Sequence, residues 1–145
     1  MQITSPSFNN NQNIPEKFTC KGQNINPQLN IEQIPKQTKS LALIMYDPDA
    51  PKGTWTHWIM WNIPIITEIK EDSVPQNSVQ GLNSAKQNNY MGPCPPSGTH
   101  RYFFKVYALD TTLNISQNST KANLEQAMQN HILEKTELIG LFSKQ

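Results

Sequence analysis

Apolar residues gather along this chain in three short runs, SLALIMY at 40–46, HWIMWNI at 57–63 and HRYFFKVYAL at 100–109. Each stops at a turn signal: DPDAPKG ends the first, Pro64 the second and Asp110 the third. Runs this short, bounded by breakers and rich in aromatic and branched residues, predict buried strands. From about residue 120 the period changes. Leu124, Ala127, Met128 and Ile132 recur at helical spacing with Glu125, Gln129 and Glu134 between them, which predicts one amphipathic helix. His131 falls inside that helix and reads as structural, and LIGLF reads as a short apolar tail. Residues 1–39 alternate small apolar pieces with Pro, Asn and Gln, including NNNQN at 9–13, and support only short strands and turns. Strands first and one late helix, without repeat or linker, predict a single mainly β domain over residues 1–145, antiparallel, with a small helical appendage.

Strand periodicity then sorts the polar residues. Leu41, Leu43, Met45 and Asp47 share one face, as do His57, Ile59 and Trp61, and as do His100, Tyr102, Phe104 and Val106. Each set is apolar with a polar head. If the three strands are neighbours, Asp47, His57, His100 and Tyr102 converge at the rim of one apolar pocket, the usual construction of a small-molecule site. Trp55, Trp58 and Trp61 read as core, with Trp58 facing away from His57.

Composition narrows the ligand classes. The 145 residues carry a formal charge of +1, which supplies no basic field for a nucleic-acid backbone or an anionic membrane. No run of apolar residues is long enough to span a bilayer, and MQITSPSF has no signal-peptide pattern. The expectation is an unexported, cytoplasmic protein with no cofactor. In that setting Cys20 and Cys94 read as free thiols, Cys20 packed and Cys94 near the pocket rim, and the Asn114 and Asn118 acceptor patterns carry no sugar.

The loop before the last strand, GPCPPSG at 92–98, is rigid and poor in donors because proline fixes φ and lacks an N–H. Gly92, Ser97 and Gly98 keep theirs, and a free N–H beside a histidine suits an anion. The stretch reads as a preformed wall of the pocket.

DPDAP (47–51), the HW pair (57–58) and GPCPPSGTHRY (92–102), in this order and spacing, closely resemble the phosphatidylethanolamine-binding protein family, also called the Raf kinase inhibitor protein family. TSPSF, IPEKFTCKG, NPQL and the HIL…ELIG pattern extend the resemblance over nearly the whole chain, toward the compact bacterial and archaeal branch. The resemblance implies a β-sandwich-like fold with a large central antiparallel sheet, a smaller second sheet and a C-terminal helix. It also implies a pocket for phosphate, head-group-like or similar small anions, formed by Asp47, Asp49, Pro51, His57, Gly92, His100 and Tyr102. Together with the tight turn at DPDAP it points to a cis Ala50–Pro51 bond.

The chain lacks the longer terminal segments of eukaryotic members known for kinase or protease regulation, so kinase regulation is not expected to carry over. The expected function is binding of a small anionic or phosphorylated ligand without turnover, an Asp orienting an imidazolium toward it. Two alternatives stand beside it: a protein-interaction regulator, and a metal-dependent or acid–base hydrolase using Asp47, His57 and His100.

Overall fold

A computed structural model describes residues 1–144. In chain order the elements are β1 (Gln2–Thr4), β2 (Gln12–Asn13), a single 3-10 turn (Glu16–Phe18), β3 (Leu29–Glu32), β4 (Ser40–Asp47), β5 (Trp55–Ile63), β6 (Glu68–Ile69), β7 (Val79–Gln80), β8 (Thr99–Leu109), α1 (Lys121–Met128) and β9 (Ile132–Ser143). The large sheet has six strands in the order β2-β9-β8-β4-β5-β7, and a small sheet has the order β1-β3-β6. Pairing is antiparallel except where β2 lies parallel to β9. The mainly β, two-sheet fold with one late helix is the one the sequence predicts.

Strand β4 explains why SLALIMY is apolar throughout. Its alternate residues serve two cores, Leu41, Leu43 and Met45 facing the small sheet's Ile3, Leu29, Ile31 and Ile69, and Ala42 and Ile44 facing Leu124 and Met128 of α1. A strand covered on both faces has no solvent side to mark with polar residues. Burying such a side chain stabilises the fold by roughly 1.5–3 kcal/mol, so this strand fixes the register of β5 and β8 on either side.

The C-terminal region corrects the sequence reading. Helix α1 is only eight residues long, capped by Thr120 and Asn123 in a reciprocal pair of side-chain to backbone bonds. It ends at Met128, and Asn130 takes a left-handed φ of 68°. The chain then enters β9, a twelve-residue strand whose pairing with β8 runs from Ile132 opposite Leu109 to Ser143 opposite Thr99. Ile132 therefore belongs to this strand, 41% exposed, and LIGLF is its inner half rather than a tail. His131 lies outside the helix with Nδ1 2.8 Å from Asp110 Oδ1, both side chains exposed. The helical pattern extended too far because the first half of β9 is solvent-facing and holds Leu, Glu and Lys, good helix formers that strand pairing overrides. Gly140 in β9 lets Ile14 approach, since a Cβ there would lie 2.4 Å from Ile14 Cγ1.

Candidate functional site

Strands β5, β4 and β8 are adjacent in that order, so the convergence expected of Asp47, His57, His100 and Tyr102 occurs. They line one cavity of about 410 Å³ together with Trp55 and Met91. Simple alternation would have failed for His57. It would place His57 with Ile59 and Trp61, which pack under the helix. Instead Met45 pairs with Trp58 and Tyr46 with Thr56, leaving His57 as the extra residue of a β-bulge. Such a bulge re-aims one side chain. Here it turns the imidazole to the face shared by Asp47 and Tyr102.

Each histidine is held by one ring nitrogen. His100 Nδ1 donates to Asp47 Oδ2 at 2.6 Å, both side chains buried. His57 Nδ1 donates to the Met91 carbonyl at 2.6 Å. Burial lowers the His57 pKa from its usual value, opposed by the Met91 carbonyl and by Asp47, so its neutral form is favoured. The Tyr102 ring lies between the two, with centroid distances of 5.3 Å to His57 and 6.4 Å to His100. Its hydroxyl is fully buried and its O–H has no acceptor, only the Cys94 backbone approaching the oxygen. Burial, reinforced by Asp47 and Asp49, pushes Tyr102 ionisation far up, so the group is a permanent O–H donor.

The remaining expected residues divide. Pro51 lines the cavity, but the Ala50–Pro51 bond is trans, no cis peptide bond occurring among the described residues. The reversal needs none: Asp47 Oδ1 accepts from the Asp49 N–H at 2.7 Å, and the Gly53 N–H closes onto the Ala50 carbonyl at 3.1 Å. Gly53 has a φ of 106°, and a trans proline suits the second position of such a turn. Asp49 is not a cavity residue. It accepts from the Arg101 backbone N–H at 3.0 Å and from Arg101 Nε and Nη2 at 2.9 and 2.8 Å, and the guanidinium holds its carboxyl down at about 2. Asp49 thus ties the loop after β4 to the start of β8.

Gly92 lines the cavity, yet its N–H donates to Asn24 Oδ1 at 2.8 Å and so is not a free anion donor. Its lack of a side chain is what the site uses, because a Cβ would lie 2.3 Å from the Phe18 carbonyl oxygen. Ser97 and Gly98 stand outside the cavity lining.

The cysteines are not free: Cys20 and Cys94 form a disulfide with Cα atoms 5.5 Å apart. The two loops that carry them are already in register, the Cys20 N–H donating to the Pro93 carbonyl at 3.1 Å. The free-thiol expectation followed from the cytoplasmic one, and the disulfide overturns the first and counts against the second. Sequence reasoning also missed Trp55, Met91 and Asn24 as site residues. Trp55 was grouped with the core, but only Trp58 and Trp61 are buried while Trp55 is 37% exposed. Its position at the mouth of β5, next to the glycine turn, was the available signal.

Residues 4–143 match the family model for phosphatidylethanolamine-binding protein. Among relatives, a UPF0098 protein of Methanothermobacter thermautotrophicus is 45% identical with 99% of each chain covered. Another from Pyrococcus horikoshii is 49% identical, covering 97% of this chain and 75% of the relative. A crystal structure of a phosphatidylethanolamine-binding protein homologue from Chlamydia trachomatis superposes with a TM-score of 0.95 at 40% identity, covering 99% of this chain and 97% of the other. Escherichia coli YbcL, described as a member of the mammalian family, superposes at 0.93 and 30% identity, covering 99% and 98%. The chain belongs to the phosphatidylethanolamine-binding protein family.

Proposed function

We propose that this family member binds a small anionic ligand, a phosphate or a phosphorylated head group, in the cavity between His57 and His100. The observation that carries the reading is the Tyr102 hydroxyl, fully buried at the cavity with no acceptor for its O–H. An unsatisfied buried donor costs about 1–3 kcal/mol, and an oxyanion entering the cavity would satisfy it. His100, oriented through Nδ1 by Asp47, presents Nε2–H as a second donor when it is the imidazolium. The apolar mouth, with Trp55, Met91, Pro95 and Pro96, suits a non-polar substituent on the anion.

Turnover is not part of the reading. Cys94, the thiol at the cavity, is held in a disulfide and offers no nucleophile. Among the described residues no group of three or more His, Cys, Asp or Glu is arranged to hold a metal ion. No helix among them is long and apolar enough to cross a membrane.

Calorimetry with inorganic phosphate tests the proposal. Tyr102→Phe removes one donor to a charged ligand, and the expected loss is about tenfold or more in affinity. The same variant should unfold no more easily than wild type, because the O–H it loses has no acceptor to abandon. Phosphate that binds wild type, Tyr102→Phe and His100→Ala with equal affinity would place the anion elsewhere and overturn the reading.

A further inference from the structure

The two imidazoles in the cavity are not equivalent, and their difference bears on which anion fits. We propose that the cavity recognises a tetrahedral oxyanion that keeps one proton, a phosphate or phosphate monoester with a P–OH group, and that His57 is the residue that reads this proton. The inference rests on the anion-binding reading above and sharpens it.

The argument begins at His57 Nδ1, which lies 2.6 Å from the Met91 carbonyl oxygen. A carbonyl oxygen can only accept, so Nδ1 carries the hydrogen, and a neutral ring with its hydrogen there has a lone pair at Nε2. The ring nitrogen seen in a hydrogen bond is Nδ1, the Gly92 backbone also coming near the ring, and His57 is a lining residue of the cavity. The charged and titratable groups facing it are Asp47 from β4 and His100 and Tyr102 from β8. Burial outweighs the Met91 carbonyl, Asp47 and the Gly92 backbone and lowers the ring's pKa, which favours its neutral form. His57 therefore offers an acceptor, whereas Tyr102 Oη offers a donor, and so does His100 Nε2 when imidazolium.

With His100 as the imidazolium, the cavity offers two donors and one acceptor, a set that does not fit every oxyanion. Sulfate and its esters present only acceptor oxygens, so one of them must set a lone pair against that of His57 Nε2. A phosphate monoester monoanion avoids this, since its P–OH donates to Nε2 while other oxygens accept from Tyr102 and His100. The discrimination is of the kind that buried polar groups achieve when one ligand leaves them unpaired.

Methyl phosphate and methyl sulfate make the decisive pair, because the monoanion of the first matches the second in shape and charge and differs by one proton. At about pH 6, near the second ionisation of a phosphate monoester, calorimetry on the disulfide-intact protein should show methyl phosphate binding about tenfold to a hundredfold more tightly. His57→Gln replaces the lone acceptor with an amide that also donates, and should bring the two affinities to within about threefold, chiefly by gain of methyl sulfate. A wild-type measurement needs no variant to fold: nitrogen-15 shifts of the histidine rings should show His57 neutral with hydrogen on Nδ1 in the methyl phosphate complex. Equal binding of the two esters, or an imidazolium at His57 in the complex, would overturn the proton-reading role while leaving the anion pocket standing. Binding of neither ester would overturn the anion-binding reading and this inference with it.

Discussion

The floor and the wall of the cavity are held by different forces. Asp47, His57, His100 and Tyr102 rise from three adjacent strands, whose side chains below them, Leu43, Met45, Trp58, Met60 and Phe104, are fully buried. The wall consists of two irregular loops, residues 17–26 and 90–98, whose joints are local. They are the Cys20–Cys94 disulfide, the Tyr90 hydroxyl donating to the Phe18 carbonyl at 2.7 Å, and the Gly92 N–H on Asn24. The floor needs the whole fold to melt before it moves, because its positions follow from sheet register and packing. The wall can loosen alone.

The largest effect should come from cutting the cross-link. Cys20 and Cys94 are 74 residues apart, and on the chain-entropy account closing a loop of that length stabilises the folded state by about 4 kcal/mol at 25 °C. Reduction, or Cys20→Ser with Cys94→Ser, should lower the melting temperature by about 8–16 °C for a domain of this size. Below the transition the buried Trp58 and Trp61 should keep native fluorescence while phosphate binding weakens, since only the wall is released. Thermal scans with and without reductant check this. An unchanged melting temperature would mean that hydrogen bonds and packing suffice to hold the wall.

A substitution at the loop junction should act next most strongly. Gly92→Ala sets a Cβ 2.3 Å from the Phe18 carbonyl oxygen and 2.4 Å from Asn24 Oδ1. Backbone cannot rotate away as a side chain can, so the loops must separate. Overpacking of this kind costs about 1–3 kcal/mol. Denaturant titration should show that loss, and Gly92→Ala should still show it in an Asn24→Ala background, because the Phe18 carbonyl remains 2.3 Å from the added Cβ. Equal stability of Gly92→Ala and wild type would show that the wall is already mobile at this point.

The same division explains what could be read from the residues alone. The floor was legible because strand alternation is a strict rule: Leu41, Leu43 and Met45 pointed Asp47 toward the pocket, and Phe104 and Val106 did the same for His100 and Tyr102. The face assigned to His57, Ile59 and Trp61 was misread, since the latter two pack under the helix and only the bulge brings His57 to the pocket. The wall was not legible in the same way. Its geometry depends on contacts between residues about 70 apart in sequence, such as Gly92 with Asn24 at a separation of 68, and no local period encodes them. The cysteines were misread because their partnership is such a contact, and a prior on cell compartment stood in for it. Asp49 was misassigned because a carboxylate beside a pocket motif looks like a ligand group until Arg101, 52 positions on, is seen to occupy it.

The smallest effect should appear at the edge of the floor, at the Asp49–Arg101 latch between the loop after β4 and the start of β8. Asp49 titrates at about 2 instead of 3.8, chiefly because Arg101 bonds its carboxylate. A carboxylate with a depressed folded-state pKa contributes stability above its unfolded pKa and loses it as pH falls through the folded value. The latch is therefore intact at neutral pH and disappears between about pH 3.8 and pH 2. Asp49→Asn keeps an oxygen for the Arg101 N–H and removes only the charge. Its stability should lie slightly below wild type at pH 7 and converge with wild type toward pH 2. The gap stays small because both side chains are partly solvated, Arg101 at 52% and Asp49 at 29% exposure, and exposed ion pairs are weakened by water and salt. Urea midpoints of the two proteins, measured from pH 7 down to pH 2 at low and high salt, give the comparison. A gap that persists unchanged into acid would show that Asp49 acts by shape rather than charge, and the turn after Asp47 would then hold the floor's carboxylate in place without help from Arg101.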